Sequence, residues 1–283
     1  MSEFTAVGPA RSLDGPLPVA PPHSLLETDL VDAPGVVVER DATRVLNGVN
    51  IYGYPTGCPS LWEPCSDGTF RTKSSEAEWP TPRFDSIVVY QGIECSTISV
   101  GGDPEDLYRR AEAVLDATMS SGVEEALAAG VVGSDNPFFG DANVDVLNSG
   151  TAVSPGVALS FLEEAIGDTC RQGMLHFTPA VVSALQAFPI GGDDRLITAN
   201  GTPVVSGQGY QGVDTPWLAA PDATEDWAFA TGPVNVYLGP VVVTTPSQSL
   251  DRAENVLTFF AERYVLAVWD TALQAAVLVD WAS

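Results

Sequence analysis

The amino-acid sequence predicts an α+β fold, in which helices and strands occupy separate stretches of the chain. A long helical pattern, "DPEDLYRRAEAVLDATMSSGVEEALAAG", stands between two regions with strand periodicity. Two shorter helices follow it, opened by Ser154-Pro155 and Thr178-Pro179. The strand-rich runs "FDSIVVYQGIECSTISV" and "DWAFATGPVNVYLGPVVVTT" flank this helical part. The expected order is therefore an arm, a hairpin, a long helix and a mixed domain.

The first two segments contain little that could form a core. Residues 1–40 are expected to be an N-terminal arm, because six prolines fall before residue 35 and periodicity is weak. Residues 41–85 carry short strand-like pieces, "GVNIYGY" and "GTFRTK", between turn signals, which predicts a protruding β-hairpin. Both segments need another surface to become ordered.

The remaining chain divides into three segments. Residues 86–135 are expected to hold strands and the long helix, with Asp103 as N-cap and a stop at Gly130. Residues 136–245 form the mixed domain, where the strand "MLHF" separates the two shorter helices and Asn200-Gly201 turns between two strands. Residues 246–283 return through a largely apolar final segment.

Charge and hydropathy exclude several classes of partner. The 283 residues contain 37 acidic and 12 basic side chains, a net charge of −25, and Lys73 is the sole lysine. Such a surface repels nucleic acid and anionic lipid, so neither sequence-specific nucleic-acid binding nor membrane binding is expected. The N-terminus resembles no signal peptide, and no charge-free apolar run is long enough to span a membrane.

The cysteines are predicted to be thiols of a protein made in the cytoplasm. Cys58 and Cys65 lie close enough in sequence for a disulfide, which stays open as an alternative. No His or carboxylate stands at metal-ligand spacing beside them, so neither metal nor cofactor is predicted.

The sequence contains no catalytic motif, and the chain is not predicted to be an enzyme. His176 lies among apolar residues and is interpreted as a buried structural histidine. The adjacent acidic pairs Glu163-Glu164 and Asp193-Asp194 are expected to be solvated, because adjacent residues do not share a face. A metal-dependent hydrolase built from carboxylates that converge in space is kept as an alternative.

The closing stretch "AENVLTFFAERYVLAVWDTALQAAVLVDW" is apolar but is interrupted by Asn255, Glu262 and Arg263. If it is a strand, Glu262 and Arg263 point to opposite faces, and each needs its own partner. Arg263 is predicted to be a buried structural residue that pairs with a carboxylate.

This stretch and the order of elements resemble the major capsid protein of tailed bacteriophages, the Hong Kong 97 (HK-97-like) fold. Asn255, Thr258, Glu262 and Arg263 match the spacing of the family's late P-domain motif. The segments "GMLHFTPAVVSALQAF" and "RLITANGTPVVSGQGY" are similar to the A-domain of actinobacterial phage capsid proteins. The family's proline turn is missing after Trp269, where "DTALQAAVLVDW" follows.

The resemblance implies an extended N-arm, a β-hairpin E-loop, a P-domain with a long spine helix and an α+β A-domain. It also implies self-assembly into hexamers and pentamers of an icosahedral head that encloses double-stranded DNA, within the virion, after assembly in the host cytoplasm. Portal and scaffold or decoration proteins are the implied partners. Residues 1–35 and the hairpin at 45–80 are then expected to contact mainly neighbouring subunits. An encapsulin-type nanocompartment shell is the alternative within this fold.

The resemblance further implies a cross-link site. An isopeptide bond would join Lys73 to Asn255 of another subunit, with Glu262 as the base. The glutamate would need an apolar pocket to accept the lysine proton, which we assign to Phe259, Phe260 and Val265. Alternatively, Asn255 and Glu262 are only a packing motif.

Overall fold

The computed structural model describes residues 18–27, 36–40, 45–51, 81–96, 104–185, 196–244, 250–251 and 256–283. Within this part, the helices are α1 (Pro104–Ala129), α2 (Pro155–Asp168) and α3 (Pro179–Ala184). The strands are β1 (Val36–Arg40), β2 (Val49–Asn50), β3 (Arg83–Phe84), β4 (Ile87–Ser96), β5 (Asp145–Val146), β6 (Met174–Phe177), β7 (Val204–Ser206), β8 (Glu225–Thr231), β9 (Val234–Thr244), β10 (Leu250–Asp251), β11 (Val256–Trp269) and β12 (Gln274–Asp280).

The first sheet is built around β11, the longest strand. β11 runs antiparallel to β4 on one side and to β9 and the short β10 on the other, while β1 lies parallel to β9. The long helix α1 packs on one face of this sheet. Its buried residues follow the helical period, and they include Ala111, Leu115, Met119, Val123 and Leu127. The predicted long helix is therefore confirmed, and so is the strand predicted at "NVLTFFAER" from Val256 onward.

The second sheet has the strand order β5-β12-β8-β6-β7 and is covered on both faces. Along β12, Ala276 and Leu278 join the core shared with α1 and the first sheet. The alternate residues Ala275, Val277 and Val279 join a second core under α2 and α3. Because β11 leads into β12 through a short turn, one continuous stretch of chain connects the two sheets.

The base of the predicted hairpin is present. β2 pairs antiparallel with β3, with Val49 opposite Phe84 and Asn50 opposite Arg83. The Ile51 N–H continues this pairing by donating to the Pro82 carbonyl oxygen at 3.0 Å. Residues 52–80, which would form the rest of the hairpin, lie outside the described residues.

Part of the predicted arm packs on its own subunit. Leu25 is fully buried, and its N–H donates to Glu124 Oε1 of α1 at 2.8 Å. The neighbouring Leu26 N–H donates to Ser120 Oγ at 3.1 Å, and the His23 carbonyl accepts from Ser206 N–H at 2.9 Å. Residues 24–26 of the predicted arm are therefore held by their own chain, because two leucines there join its core. The expectation that residues 1–35 contact mainly neighbouring subunits stays a prediction.

The turn at Asn200-Gly201 is present, but the strands around it are shorter than predicted. Thr198 N–H donates to the Thr202 carbonyl oxygen at 2.9 Å, and Ile197 forms an isolated bridge with Pro203. The chain then enters β7, which pairs in parallel with β6. Its first residue also bonds back across the turn, since the Val204 N–H donates to the Leu196 carbonyl oxygen at 2.9 Å.

Glu163 is not simply solvated, which corrects the sequence-based expectation. Its carboxylate accepts from Thr198 Oγ1 at 2.5 Å and from Thr202 Oγ1 at 2.9 Å, whereas Glu164 is exposed. Adjacent helical residues point about 100° apart, so one of them can face a packed loop while the other faces water. Asp193-Asp194 lies outside the described residues.

The prediction that all four cysteines are thiols is also wrong, because Cys170 is disulfide-bonded. Its partner is not among the side chains that the structure describes. The prediction rested on the compartment in which the protein is made. The compartment affects how readily thiols are oxidised, but the fold determines which sulfur atoms lie close enough to form a bond. None of the described helices is long and apolar enough to cross a membrane.

His176 is a buried structural residue, as predicted. Its Nδ1 lies 2.9 Å from Tyr210 Oη, and its Nε2 lies 2.8 Å from Thr231 Oγ1. Since the Thr231 hydroxyl donates to the Gly232 carbonyl oxygen, it must accept from Nε2–H, which leaves Nδ1 to accept from Tyr210. Burial lowers the pKa of His176 to about 3, which keeps this neutral tautomer.

The buried histidine predicts a specific pH dependence of stability. The unfolded chain takes up a proton on His176 below pH 6.5, while the folded chain does not until its lowered pKa near 3. The free energy of unfolding should therefore fall by about 2 kcal/mol between pH 7 and 5 from this residue alone. His176→Gln should be less stable at pH 7 but should lose this part of the slope, as measured by urea denaturation.

His23→Asn is the matched control, because His23 is the other histidine and Asn tolerates its positive φ of 64°. The control should keep the wild-type slope. Parallel pH profiles for wild type and His176→Gln would contradict the assignment.

Candidate functional site

Glu262 and Arg263 lie next to each other on β11 and point to opposite faces of the first sheet. Burial alternates along this strand, with Phe259, Ala261 and Arg263 buried and Phe260 and Glu262 only partly buried. The inner face, which carries the buried residues, packs against α1. The sequence-based prediction of opposite faces is confirmed, and each residue has a different environment.

Arg263 is the charged residue of the inner face and is 7% exposed. Its Nε donates to the Gly239 carbonyl oxygen of β9 at 2.5 Å, and its Nη1 lies 3.6 Å from Asp116 Oδ1 of α1. The predicted carboxylate partner is thus Asp116. The Asp116 side chain is 59% exposed, so water screens the ion pair and the buried bond to Gly239 contributes more.

The contact with Gly239 lies at an irregularity in the sheet. The pairing of β11 with β9 shifts register between Arg263 and Val265, which is a β-bulge. A Cβ on Gly239 would lie 2.9 Å from Leu46 Cδ1, so the hairpin base packs directly on this position. The Leu46 carbonyl in turn accepts from Ser86 Oγ at 2.7 Å. Arg263 therefore supports the part of the sheet on which the hairpin base rests.

Glu262 is the charged residue of the outer face and is surrounded by apolar side chains. Tyr90 of β4 and Val242 of β9 lie directly opposite it in the two ladders. Phe260 and Tyr264 lie two residues away on the same strand, and Val88 is opposite Tyr264. We call these five residues the outer patch: Val88, Tyr90, Val242, Phe260 and Tyr264.

The outer patch is unusually apolar for a sheet face that α1 does not cover. Tyr90 is 65% exposed, Tyr264 49%, Val88 44% and Val242 43%. The Tyr90 and Phe260 rings pack edge to face with centroids 6.2 Å apart. Contiguous exposed apolar side chains on a soluble protein mark an interaction surface.

The predicted apolar pocket is correct for only one of its three residues. Phe260 shares the outer face with Glu262. Phe259 and Val265 are buried on the inner side of the sheet, where the Phe259 ring packs edge to face on Tyr108 of α1 at 5.5 Å. Sequence neighbours alternate between faces, so the residues beside Glu262 come instead from β4 and β9, which no local pattern identifies.

The other proposed site residues are not all visible. Lys73 and Asn255 lie outside the described residues. Thr258 is partly buried on the outer face, opposite Glu94 of β4. Within the described ranges, no three His, Cys, Asp or Glu side chains come together as a possible metal site.

Solved structures share this architecture. The capsid of a native GTA particle matches with a TM-score of 0.54 and 14% identity, covering 99% of this chain and 97% of that chain. A structure from Mycobacterium phage Adephagia matches at 0.53 and 13%, covering 98% and 95%. The holo-SrpI encapsulin complex from Synechococcus elongatus PCC 7942 matches at 0.50 and 10%, covering 96% and 92%.

No protein-family model and no curated protein matches the chain in sequence. At the identities of the structural matches, the likeness establishes the fold. The predicted mixed helix-and-sheet fold, shared with a capsid structure over almost the whole chain, is therefore confirmed.

The environment of Arg263 predicts unequal effects of removing the two partners. Arg263→Ala should lower the free energy of unfolding of the monomeric chain by about 2 kcal/mol or more, because it leaves the buried Gly239 carbonyl without its donor. Asp116→Asn should cost about 1 kcal/mol or less, because that carboxylate is largely solvated. Urea denaturation measures both. Equal losses in the two variants would show that the ion pair, and not the bond to Gly239, holds Arg263.

Proposed function

We propose that this chain is the major capsid protein of a tailed bacteriophage, assembling into hexamers and pentamers of an icosahedral head around double-stranded DNA. The match to the capsid of a GTA particle, which covers nearly all of both chains, carries the proposal. In this interpretation, α1 with the first sheet is the P-domain and its spine helix, and the second sheet with α2 and α3 is the A-domain. Residues 18–27 belong to the N-arm, and β2 with β3 forms the root of the E-loop.

The encapsulin-type shell is the second candidate, supported by the match to the SrpI complex. Both candidates are closed shells of one fold, so the fold itself does not distinguish them. The GTA and Adephagia structures match with somewhat higher TM-scores and identities, which favours the phage head. Particles purified from the native source separate the two functions: a head protects double-stranded DNA from nuclease, whereas a nanocompartment holds a protein cargo.

The charge of the chain supports the same proposal. With a net charge of −25, many copies that line a shell present an acidic wall to packaged DNA. Such a wall repels the phosphate backbone, so the genome is confined without being bound. Portal and scaffold or decoration proteins complete the proposed set of partners. The proposed location is the virion capsid, after assembly in the host cytoplasm.

The outer patch is the proposed contact surface for a neighbouring subunit. Its apolar side chains surround a single carboxylate, Glu262, on a face that α1 leaves open. A segment of another copy would match this surface as a cover if it carried apolar side chains around a single amine. The sole lysine of the chain, Lys73, falls within the predicted hairpin. We assign the hairpin of another copy as that cover.

The cover also creates the conditions for the cross-link. Once water is excluded, Glu262 accepts a proton from the Lys73 ammonium, and the free Nζ attacks the Asn255 carboxamide carbon. The Nζ–C bond forms and the original C–N bond of the carboxamide breaks. Glu262 passes one Nζ proton to the leaving nitrogen, and the second proton that Nζ loses leaves with it, so the nitrogen departs as ammonium and Glu262 is ionised again. The reaction consumes an amine and an amide and needs neither oxidant nor cofactor.

The proposed assembly predicts closed shells and a specific way to prevent them. The wild-type chain, purified and concentrated, should form closed particles in negative-stain electron microscopy. Tyr90→Ser should give stable subunits that fail to close, because the side chain is mostly exposed in the subunit and exposed substitutions usually change stability by about 0.5 kcal/mol or less.

Val132→Ser is the matched control, since this apolar side chain is fully exposed in the turn after α1 and away from the outer patch. The control should assemble like the wild type. Normal shells from Tyr90→Ser would sink the assignment of the outer patch, and a wild-type chain that stays monomeric would sink the capsid proposal.

The cross-link is tested by denaturing gel electrophoresis of mature particles. Wild-type particles should show a ladder of covalent multimers, which Lys73→Arg abolishes because a guanidinium is not nucleophilic at neutral pH. Glu262→Gln should assemble but should remain monomeric on the gel, because the amide cannot take the proton. A single monomer band from mature wild-type particles would leave Asn255 and Glu262 as a packing motif.

A further inference from the structure

The hairpin base, formed by β2 and β3, is bound by the side chain of Asn136, which lies in a loop distant in sequence. Asn136 lies in the loop that follows α1, and both ends of its amide bind the backbone of Asp85, between β3 and β4. Its Oδ1 accepts from the Asp85 N–H at 2.7 Å, and its Nδ2 donates to the Asp85 carbonyl oxygen at 2.7 Å. Two bonds to one residue reproduce the pairing of a neighbouring strand and fix the orientation of both adjoining peptides.

The Asp85 side chain contacts both strands of the hairpin base, at Arg83 of β3 and at Gly48 just before β2. Its carboxylate accepts three hydrogen bonds from the Arg83 guanidinium: from Nε to Oδ1 at 3.0 Å and to Oδ2 at 3.1 Å, and from Nη2 to Oδ1 at 2.7 Å. These bonds lower the pKa of Asp85. The carboxylate lies over Gly48, where a Cβ would come within 2.2 Å of Oδ1 and where φ is +91°. Only glycine fits that turn, so the strand at 49–50 enters in one direction.

The loop that carries Asn136 is itself fixed to the frame of the subunit. Phe139 and Gly140 donate their N–H groups to the carbonyls of Leu127 and Ala128 at the end of α1, at 2.6 and 3.1 Å. Gln274 Nε2, at the start of β12, donates to the Phe138 and Phe139 carbonyl oxygens at 3.0 and 3.1 Å. Trp269 Nε1 donates to the Pro137 carbonyl oxygen at 3.4 Å. Asn136 therefore connects the hairpin root to α1 and to the junction of the two sheets.

We propose that Asn136 is a positioning residue that sets the direction in which residues 52–80 leave the subunit. This inference rests on the proposed function, since direction matters only if the hairpin must reach another copy. An extended hairpin of this length reaches about 45 Å, and a tilt of about 10° at its root displaces the tip by about 8 Å. Such a displacement is larger than the spacing between strands. If the orientation of the hairpin base varied by this much, the tip of the hairpin would not reach the outer patch of the neighbouring copy.

The test compares Asn136→Ala with Asn143→Ala, an exposed asparagine of the same loop. In dissociated subunits, hydrogen exchange of the Asp85 amide should be about ten-fold or more faster in Asn136→Ala and unchanged in the control, because that amide loses its acceptor. The urea midpoint should stay close to that of the wild type in both variants. In electron microscopy, Asn136→Ala should give several-fold fewer closed shells and a broad range of open or irregular particles.

Three other results would contradict the positioning role of Asn136, and they differ in what they imply for the capsid proposal. Regular shells from Asn136→Ala beside regular wild-type shells would overturn the positioning role and leave the capsid proposal intact. A large drop in the urea midpoint of Asn136→Ala would also overturn it, because the residue would then be needed for folding. If the wild-type chain forms no shells, the capsid proposal fails, and this inference fails with it.

Discussion

The subunit depends on one buried carboxylate, that of Glu124 in α1. It is fully buried and accepts from the Leu25 N–H and the Ser120 hydroxyl at Oε1, and from the Gly209 N–H at Oε2. A buried carboxylate is tolerated only when such donors surround it, and removing one of its hydrogen-bond donors costs about 1 to 3 kcal/mol or more. The arm segment, the long helix and the loop after β7 are therefore ordered together. The loop approaches closely enough that a Cβ on Gly209 would lie 2.2 Å from the Ser121 carbonyl oxygen.

This network extends into the second sheet. Burial, and after it the Glu124 charge, raise the pKa of Tyr210. The Tyr210 hydroxyl donates to His176, which packs beside Phe139 in the core shared with α1 and the first sheet. A polar chain thus runs from the N-terminal segment through α1 to β6 and β8, and its described members are satisfied within one subunit. The outer patch has the opposite character, because Glu262 and its apolar neighbours face outward. The network around Glu124 is thus bound within the chain, whereas the outer patch stays exposed.

The sequence predicted the elements with local signals and missed the contacts made between them. The bounds of α1, the starts of α2 and α3 and the opposite faces of Glu262 and Arg263 follow from capping residues and from periods of 3.6 and 2. The residues beside Glu262 depend on register between β4, β9 and β11, which a single sequence does not encode locally. The same holds for Asp116, Glu163 and Asn136, whose partners lie 35 to 147 residues away along the chain. Leu25 and Leu26 were the sequence feature that indicated burial of part of the arm. The prolines around them favoured an extended segment instead, so this burial was not predicted.

In the proposed shell, the acidic charge of each copy and the apolar outer patch would act in opposite directions. Copies that carry −25 each repel over about 10 Å at moderate ionic strength, so long-range attraction cannot bring them together. Association must come from short-range burial of apolar surface, for which the gain is about 25 cal/mol per Å². Short-range burial requires that the covering segment arrive in register, because a strand face shifted by one residue presents the wrong side chains. Precise geometry at the hairpin root then matters more for a strongly charged shell protein than for one whose copies attract at a distance.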